Sequence, residues 1–275
     1  MEPDVNASQI PSRVAIVTGG GRGLGRAMVL GLAQAGIHVV ATAARERAEI
    51  EAVAEEVRRS CGEARVLPVV ADVTREDDCA AVVDAAVERF GRLDILVNNA
   101  GRGMKYVSNE FLTEPTRFWE VAPETWRLIV DTNVNGPFMM ARRAVPEMLK
   151  AGWGRIVNVS VSLGTMRRAG FSPYGPSKAA LESETIIWAQ DLLGTGVTVN
   201  ALLPGGPTLT GMVPQTVSEK AKSAMLDASI MVPPLLWLVS AEADGMTGRR
   251  LVATKWQTGI DGKSAAEAAT EQAGW

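Results

Sequence analysis

The chain has 275 residues, of which 47% are hydrophobic and 21% charged, and its formal net charge is −3. The small negative charge gives no electrostatic reason to expect a nucleic-acid partner, and no apolar run approaches the ~20 residues that cross a membrane. Residues 1–12 are polar and lack the apolar core of a signal peptide, so they are interpreted as a flexible tail. We expect a cytoplasmic protein with no nucleic-acid or membrane partner.

Short apolar runs alternate with longer amphipathic segments along most of the chain. Seven runs predict buried strands: Val14–Thr18, His38–Thr42, Val66–Ala71, Ile95–Asn98, Arg155–Val159, Val197–Leu202 and Arg250–Thr254. Six segments predict helices: Leu24–Ala35, Glu46–Ser60, Glu76–Phe90, Pro123–Lys150, Pro173–Leu193 and Val217–Val239. Strands that alternate with helices form parallel sheets covered on both faces. The expected fold class is therefore α/β, a doubly wound, seven-stranded parallel sheet of the Rossmann type.

No linker or internal repeat interrupts this alternation, which predicts a single domain over residues 13–261. Residues 102–121 form a long insertion after the fourth strand, where open α/β sheets bind ligands. Its aromatic residues either wall a substrate pocket or fasten the loop to the protein's own surface. Residues 262–275, rich in alanine and polar residues, are interpreted as a C-terminal tail, either a short helix or a disordered end.

The first strand ends in a glycine-rich turn, and a helix follows at once: Thr18-Gly19-Gly20-Gly21-Arg22-Gly23-Leu24-Gly25. Glycines allow a sharp turn and a close approach to a pyrophosphate, while the N–H groups at a helix start face the anion. The spacing Gly-x-x-x-Gly-x-Gly differs from the common dinucleotide pattern Gly-x-Gly-x-x-Gly. Its place between the first strand and the first helix nevertheless predicts a dinucleotide site.

The residues after the second strand bear on which nicotinamide cofactor binds. An acidic residue ~20 positions past the glycines would bind the adenine ribose and repel a 2′-phosphate. Arg45 stands there instead, and Arg22 lies within the glycine turn. The two cations and the absence of a carboxylate at this position favour NADP(H). NAD(H) is the alternative if Arg45 is simply an exposed side chain at the start of a helix.

Tyr174 and Lys178 lie four residues apart at the start of a predicted helix, so they share one face. A phenol with a pKa near 10 is a poor acid–base group at neutral pH. An adjacent ammonium favours the phenolate and brings the tyrosine towards the working range. The pair indicates acid–base chemistry.

The order of these motifs resembles the short-chain dehydrogenase/reductase family, in its single-domain branch, over roughly residues 13 to 255. The resemblance is carried by the glycine turn, Asp72, Asn98-Asn99-Ala100-Gly101, Asn133, the serines near position 160, Tyr174-x-x-x-Lys178 and Pro204-Gly205. It implies that Tyr174 is the general acid in reduction and the general base in oxidation. Lys178 would lower the pKa of the tyrosine and bind the nicotinamide ribose. Asn133 would kink its helix and support a proton-relay water.

The resemblance also implies a set of cofactor contacts outside the catalytic group. Asp72 and Val73 would flank the adenine, and Pro204 and Gly205 would begin the loop over the nicotinamide. The whole implied cofactor set comprises Gly19, Arg22, Gly23, Leu24, Gly25, Arg45, Asp72, Val73, Asn99, Ala100, Gly101, Tyr174, Lys178, Pro204, Gly205 and Thr210.

Two positions depart from the family pattern. The substrate-orienting serine, thirteen residues before the tyrosine, is replaced by Val161, which cannot donate a hydrogen bond through its side chain. We favour Ser162 for this role after a one-residue loop shift, with Ser160 or no serine as alternatives. The loop after Pro204 is one residue longer than usual. Thr210 is therefore the expected carboxamide ligand, and Thr208 competes for that role.

These observations predict an NADP(H)-dependent oxidoreductase that moves a hydride between nicotinamide and a small-molecule carbonyl or alcohol. An NAD(H)-dependent alcohol dehydrogenase and a catalytically silent dinucleotide sensor are the alternatives, the latter because of Val161. No cluster of metal-ligating residues is apparent, and the one histidine, His38, lies far from the tyrosine, so no metal is expected. Family members usually assemble, which implies a homodimer or homotetramer.

Overall fold

The computed structural model describes residues 13–214 and 216–274; the predicted tail over residues 1–12 lies outside the described residues. Eight strands lie within this part of the chain: β1 (Val14–Val17), β2 (His38–Ala43), β3 (Val66–Val70), β4 (Ile95–Asn98), β5 (Gly154–Val159), β6 (Val197–Leu203), β7 (Arg249–Val252) and β8 (Thr270–Gln272). The α-helices there are α1 (Gly23–Gln34), α2 (Arg47–Cys61), α3 (Glu76–Phe90), α4 (Pro123–Val130), α5 (Gly136–Ala151), α6 (Leu163–Met166), α7 (Tyr174–Asp191), α8 (Glu219–Ser223), α9 (Val232–Leu238) and α10 (Gly262–Ala269).

The strands form one sheet in the order β3-β2-β1-β4-β5-β6-β7-β8. Strands β1 to β7 run parallel, and the central residue Ile16 lies beside Val40 on one side and Leu96 on the other. The order reverses between β1 and β4, which is the point where doubly wound sheets bind ligands. The predicted Rossmann-type fold class is confirmed.

Both faces of the sheet are buried, as the continuous apolar runs predict. In β1, Ala15 and Val17 pack in one cluster with residues of α1, α2 and α9. The alternate residues Val14 and Ile16 pack on the opposite face with residues of α3, α5 and α7. Successive side chains of a strand point to opposite faces, so both sets must be apolar. Among the helices of residues 13–214 and 216–274, none is long and apolar enough to cross a membrane.

The predicted helix over Pro123–Lys150 consists of three consecutive pieces. A π-helical turn, Asp131–Asn135, separates α4 from α5, and the buried Asn133 lies within it. Such wide turns inside α-helices are frequent at functional sites. The expected kink at Asn133 thus takes the form of a π-helical turn.

The predicted single helix over Val217–Val239 is wrong. The chain forms α8, then a 3₁₀ turn (Ala228–Met231) and α9. The carboxylate of Asp227 accepts a hydrogen bond from the N–H of Ser229 at 2.8 Å and so begins a new turn. Pro233 and Pro234 lack N–H donors, so they suit the first turn of α9 but not the interior of a longer helix.

Of the two alternatives for residues 262–275, a short helix or a disordered end, the structure has the helix, α10, and a strand, β8, follows it, so residues 262–272 are part of the domain rather than a tail. Ala265, Ala266 and Ala269 of α10 are buried against the domain. Strand β8 pairs antiparallel with β7, so the sheet has an eighth strand beyond the seven predicted. The polar sequence Thr270–Gln272 has no apolar run, because this edge strand is only partly covered.

A pair of matched substitutions tests the packing of this C-terminal segment. Ala266→Asp places an unpaired charge in a buried position and should lower the free energy of unfolding by ~3 kcal/mol or more. Ala268→Asp introduces the same residue on the exposed face of α10 and should cost ~0.5 kcal/mol. Urea denaturation measures both, and similar losses in the two variants would show that α10 is not packed as described.

Candidate active site

The cleft begins where β1 and β4 end side by side. The hydroxyl of Thr18 accepts hydrogen bonds from the N–H groups of Asn99 and Ala100, each at 3.0 Å. The side-chain amide of Asn99 donates back to the carbonyl oxygens of Thr18 and Gly19, at 2.8 and 3.0 Å. These bonds fix the glycine turn against the Asn-Asn-Ala-Gly segment.

The turn itself is too tight for side chains at critical positions. A Cβ on Gly25 would lie 2.1 Å from the carbonyl oxygen of Gly19 and 2.5 Å from the Asn99 amide nitrogen. Gly23 has φ +53°, a conformation that favours glycine. Helix α1 starts at Gly23, so its first N–H groups, which lack helical partners, lie at the turn.

A cleft of about 590 Å³ joins the glycine turn to the helix that carries Tyr174 and Lys178. Most predicted site residues line it: Gly19, Arg22, Gly23, Leu24, Gly25, Arg45, Asp72, Val73, Asn99, Ala100, Gly101, Tyr174, Lys178, Pro204 and Thr210. Asn133, Ser162 and Gly205 lie outside the lining. Thus one cleft brings together the two motifs that the sequence singled out.

At the β2 end of the cleft, the two predicted cations have different surroundings. Arg22 lies 3.2 Å from Glu49 and 4.0 Å from Glu46, so it already has acidic partners. Arg45 is exposed at the cleft, and no acidic group of the described residues lies within 4 Å of it. Arg45 is therefore the cation available to an anionic ligand there.

Asp72, at the end of β3, is directed towards its own turn. Its Oδ1 accepts hydrogen bonds from the N–H and the hydroxyl of Thr74, at 3.0 and 2.8 Å. Burial opposes ionisation, but these two bonds, with Arg102 and Arg45 nearby, hold the pKa of Asp72 below its usual value. Asp72 lines the cleft as an anion whose orientation is fixed.

Tyr174 and Lys178 lie on the first turns of α7, and burial shifts their pKa values in opposite directions. Burial raises the pKa of Tyr174 to about 12, so the phenol keeps its proton at neutral pH. Burial lowers the pKa of Lys178 to about 8, and the negative charge of Glu182 partly opposes this. The Lys178 ammonium donates to the carbonyl oxygen of Val159 at 2.8 Å.

Asn133 links the insertion to α7 from behind the cleft. Its side-chain oxygen accepts from the N–H of Arg102 at 2.8 Å, and its amide donates to the Arg102 carbonyl at 2.9 Å. The same amide donates to the hydroxyl of Ser177, beside Lys178, at 2.9 Å. Asn133 therefore holds the start of the insertion against the first turn of α7.

The serines around Val161 have other hydrogen-bond partners. The Ser162 hydroxyl caps α6: it accepts from the N–H of Thr165 at 3.3 Å and contacts the Thr165 hydroxyl at 3.0 Å. Ser160 lines the cleft, as does Val161, and its hydroxyl donates to Oε1 of Glu182 at 2.8 Å. The role assigned to Ser162 stays a prediction, and Ser160 is the serine in the cleft lining.

The aromatic residues of the insertion divide between both expected roles. Tyr106 lines the cleft beside the guanidinium of Arg102, 4.8 Å from its ring centroid. Phe111 packs edge-on against Phe171, with ring centroids 5.7 Å apart. Phe118 and its neighbour Trp119 are about two-thirds exposed. The insertion contributes one aromatic wall to the cleft and anchors itself with another ring.

The loop after β6 covers the glycine turn. Thr210 packs against Gly23: a Cβ added to Gly23 would lie 3.3 Å from the threonine methyl. Thr208 also lines the cleft and forms an isolated parallel bridge with Leu226. Both candidate threonines thus belong to the cleft, and Thr210 lies nearest the turn.

Within the described ranges, no three metal-ligating side chains (His, Cys, Asp or Glu) lie close enough together to hold a metal ion.

Comparison with known proteins assigns the family. The short chain dehydrogenase family matches residues 13–221, so the chain belongs to that family of oxidoreductases. A 3-oxoacyl-[acyl-carrier-protein] reductase of Synechocystis sp. is 34% identical over 196 residues, which cover 71% of this chain and 74% of the relative.

Two solved structures share the fold. A variant of the actinorhodin polyketide ketoreductase, crystallised with NADPH, has a TM-score of 0.76 and 28% identity, covering 88% of this chain and 95% of its own. A 3-ketoacyl-(acyl-carrier-protein) reductase of Brucella melitensis, complexed with NADH, has a TM-score of 0.75 and 30% identity, covering 87% and 96%. The family resemblance predicted from the motifs is confirmed.

Several cleft residues were not predicted from the sequence. Arg102, Lys105 and Asn109 of the insertion line the cleft, and so do Glu46 and Glu49 of the β2–α2 region. The insertion was recognised by its length, but nothing in its pattern shows which side chains face inward. Glu49 follows Arg45 by four residues, a spacing that places both near the same helix start.

The buried ammonium of Lys178 should cost stability at neutral pH. Its pKa, about 8 in the folded chain against 10.5 ordinarily, means that the unfolded chain binds more protons between these values. Wild-type stability should therefore rise as pH increases from about 8 to 10.5. At pH 7, Lys178→Met should raise the free energy of unfolding by up to ~3 kcal/mol.

Denaturation of wild type and Lys178→Met across pH 7 to 11 measures this effect, with the exposed Lys220→Met as control. The gain of Lys178→Met should shrink above pH 8, whereas Lys220→Met should track the wild type. A Lys178→Met variant that is less stable at pH 7 would contradict the cost of the buried charge.

Proposed function

We propose that this protein is an NADP(H)-dependent carbonyl reductase in which Tyr174 is the general acid, assisted by Lys178. The main support for this proposal is that both side chains line the same cleft as the glycine turn at the start of α1. An acid–base pair thus lies within reach of a bound dinucleotide. The same site run in reverse would oxidise the corresponding alcohol.

The turn fits a dinucleotide pyrophosphate. The crowding around Gly25 and the left-handed φ of Gly23 bring the backbone close to whatever occupies the cleft. Helix α1 directs its first N–H groups and its positive dipole end to the same place, where an anion is stabilised. Both features suit a pyrophosphate better than a neutral ligand.

The protonation states suit reduction. A nicotinamide bound in the cleft would supply the hydride. With its pKa raised to about 12, Tyr174 is protonated at neutral pH and can donate to a carbonyl oxygen as negative charge develops there. With its pKa lowered to about 8, Lys178 is still mostly an ammonium at pH 7 and stabilises the tyrosinate that remains.

The charge distribution at the end of β2 supports NADP(H). Arg45 stands where an NAD-binding chain would carry a carboxylate, and it has no close acidic partner in the described chain. A guanidinium binds a 2′-phosphate through charge-assisted hydrogen bonds. Arg22, engaged by Glu49, has to exchange its partner before it can contribute.

Removal of the proposed general acid should lower the rate of the chemical step without weakening cofactor binding. Tyr174→Phe keeps the ring and loses the hydroxyl, so kcat should fall ~10²- to 10⁴-fold while NADPH affinity changes little. NADPH absorbance measures turnover on a panel of ketones, aldehydes and 3-oxoacyl thioesters, the last because the Synechocystis relative is named for that substrate class. Unchanged turnover in the variant would remove Tyr174 from the mechanism.

A second candidate function is a dinucleotide-binding sensor without turnover. It is favoured by Val161 at the expected serine position and by the engaged hydroxyls of Ser160 and Ser162. The same panel distinguishes the two functions. Tight NADPH binding by the wild type, with no substrate of the panel consumed, would favour the sensor.

The two arginines should differ in their effect on cofactor affinity. Arg45→Ala should weaken NADPH binding ~10-fold and leave NADH affinity nearly unchanged, because only NADPH carries the 2′-phosphate. Arg22→Ala should weaken NADPH binding less, ~3-fold, because Arg22 is already paired. Fluorescence titration with both cofactors measures this. Equal losses for NADPH and NADH in Arg45→Ala would favour the NAD-dependent alternative.

A further inference from the structure

Behind the cleft, Glu182 of α7 and Arg250 of β7 form a buried ion pair that has no part in the proposed reaction. Their side chains are 0% and 1% exposed, and Nε of Arg250 lies 3.5 Å from Oε1 of Glu182. Burial of two charges is costly, and such a pair is weak evidence for a role in stability. Its contacts therefore indicate what the pair does.

Those contacts converge on residues 159–161. The first of these residues ends β5, the other two follow it, and all three line the cleft. The carbonyl oxygen of the first accepts from Lys178 at 2.8 Å, and the hydroxyl of the second donates to Glu182 at 2.8 Å. The carbonyl oxygen of the third accepts from Nη2 of Arg250, also at 2.8 Å. Three consecutive residues beside Tyr174 are thus held by three buried charged side chains.

The C-terminal segment completes this arrangement. The N–H of Gly274 donates to Oε2 of Glu182 at 3.1 Å, so both carboxylate oxygens have partners. Glu271 of β8 lies 3.8 Å from Nη1 of Arg250 and 2.6 Å from Lys255. The C-terminal segment therefore supplies a contact to each member of the ion pair: Glu271 of β8 to Arg250, and Gly274, just after β8, to Glu182.

We infer that Glu182 and Arg250 are positioning residues: they hold residues 159–161 against the substrate and keep a negative charge one helical turn from Lys178. The inference rests on the proposed function and extends it to residues that do not line the cleft. The same inference accounts for the contacts of this segment with buried charges, through a hydroxyl at residue 160 and a carbonyl at residue 161. These contacts lie where Val161 replaces the expected serine. Substrate orientation would then depend on the fixed backbone of the segment.

Glu182→Gln is the direct test, because it removes the charge and keeps the shape of the side chain. We expect kcat to fall ~10-fold and the alkaline limb of the rate profile to move ~1 pH unit lower, since Lys178 loses its neighbouring anion. Arg250 on β7 contacts Glu182, and Glu271 on β8 contacts Arg250, whereas Asn133 and Ser177 near Lys178 are uncharged. Tyr174, with its pKa near 12, titrates above this limb.

Glu184→Gln is the matched control. Glu184 is a partly buried carboxylate on the same helix and makes no hydrogen bond to residues 159–161 among the described contacts. Its variant should keep the wild-type limb. Glu182→Asp restores the charge with a shorter reach, so it should return the limb towards wild type while kcat stays low. Wild-type kcat and profile in Glu182→Gln, or the same change in Glu184→Gln, would overturn the inference.

Two further measurements keep the test decisive. If Glu182→Gln fails to fold, Ser160→Ala removes one hydrogen bond and keeps every charge; it should lower kcat ~3-fold, and an unchanged kcat would count against the inference. If the wild type reduces no carbonyl, the proposed function fails. The charge effect is then read from the pH at which the stability gain of Lys178→Met begins to shrink, with and without Glu182→Gln, because that onset follows the pKa of Lys178 in the folded chain. That onset should fall with Glu182→Gln, and an unchanged onset would overturn the inference.

Discussion

Hydrogen bonds between Thr18 and Asn99 join the ends of β1 and β4, and the rest of the cleft depends on that junction. Beside it, the amide of Asn98 donates to Asn158 on β5, and the amide of Asn158 donates to the hydroxyl of Thr185 on α7, each at 2.9 Å. A chain of buried polar contacts thus runs from the glycine turn to the helix that carries the tyrosine and the lysine. Oδ1 of Asn98 has no hydrogen-bond partner among the described residues, but the bonds that are made hold these elements in one arrangement.

The same region stores unfavourable free energy. Lys178 is buried and its pKa is lowered to about 8, whereas Tyr174 is partly buried and its pKa is raised to about 12. A buried charge usually costs more stability than an apolar side chain in its place, so we expect the Lys178 charge to be retained for its effect on a ligand in the cleft. The buried carboxylate of Glu182 offsets part of the cost at Lys178 and at Arg250. Stability is supplied by the two apolar clusters on either side of the sheet.

The sequence predicted what is encoded locally. Apolar runs marked β1 to β7, and glycine spacing marked the turn, because strand burial and tight turns need particular residues at short range. Contacts between distant residues have no such signal: Glu182 with Ser160, and Arg250 with the carbonyl of Val161, join elements 22 and 89 residues apart. Strand β8 was missed because an edge strand does not need an apolar run. The expected role of Ser162 rested on spacing alone, which does not show that its hydroxyl caps α6.

We propose that a hydride is transferred within this cleft and that Tyr174 supplies the proton. Hydride transfer is measured with NADPH that carries deuterium at both C4 positions of the nicotinamide, so that either face delivers the label, and with mass spectrometry of the alcohol formed from each carbonyl of the panel. We expect deuterium on the carbon that was the carbonyl carbon, and Tyr174→Phe should slow its incorporation ~10²- to 10⁴-fold. Bound NADPH with no deuterium transferred to any substrate would contradict the account and identify a protein that binds the dinucleotide without using it.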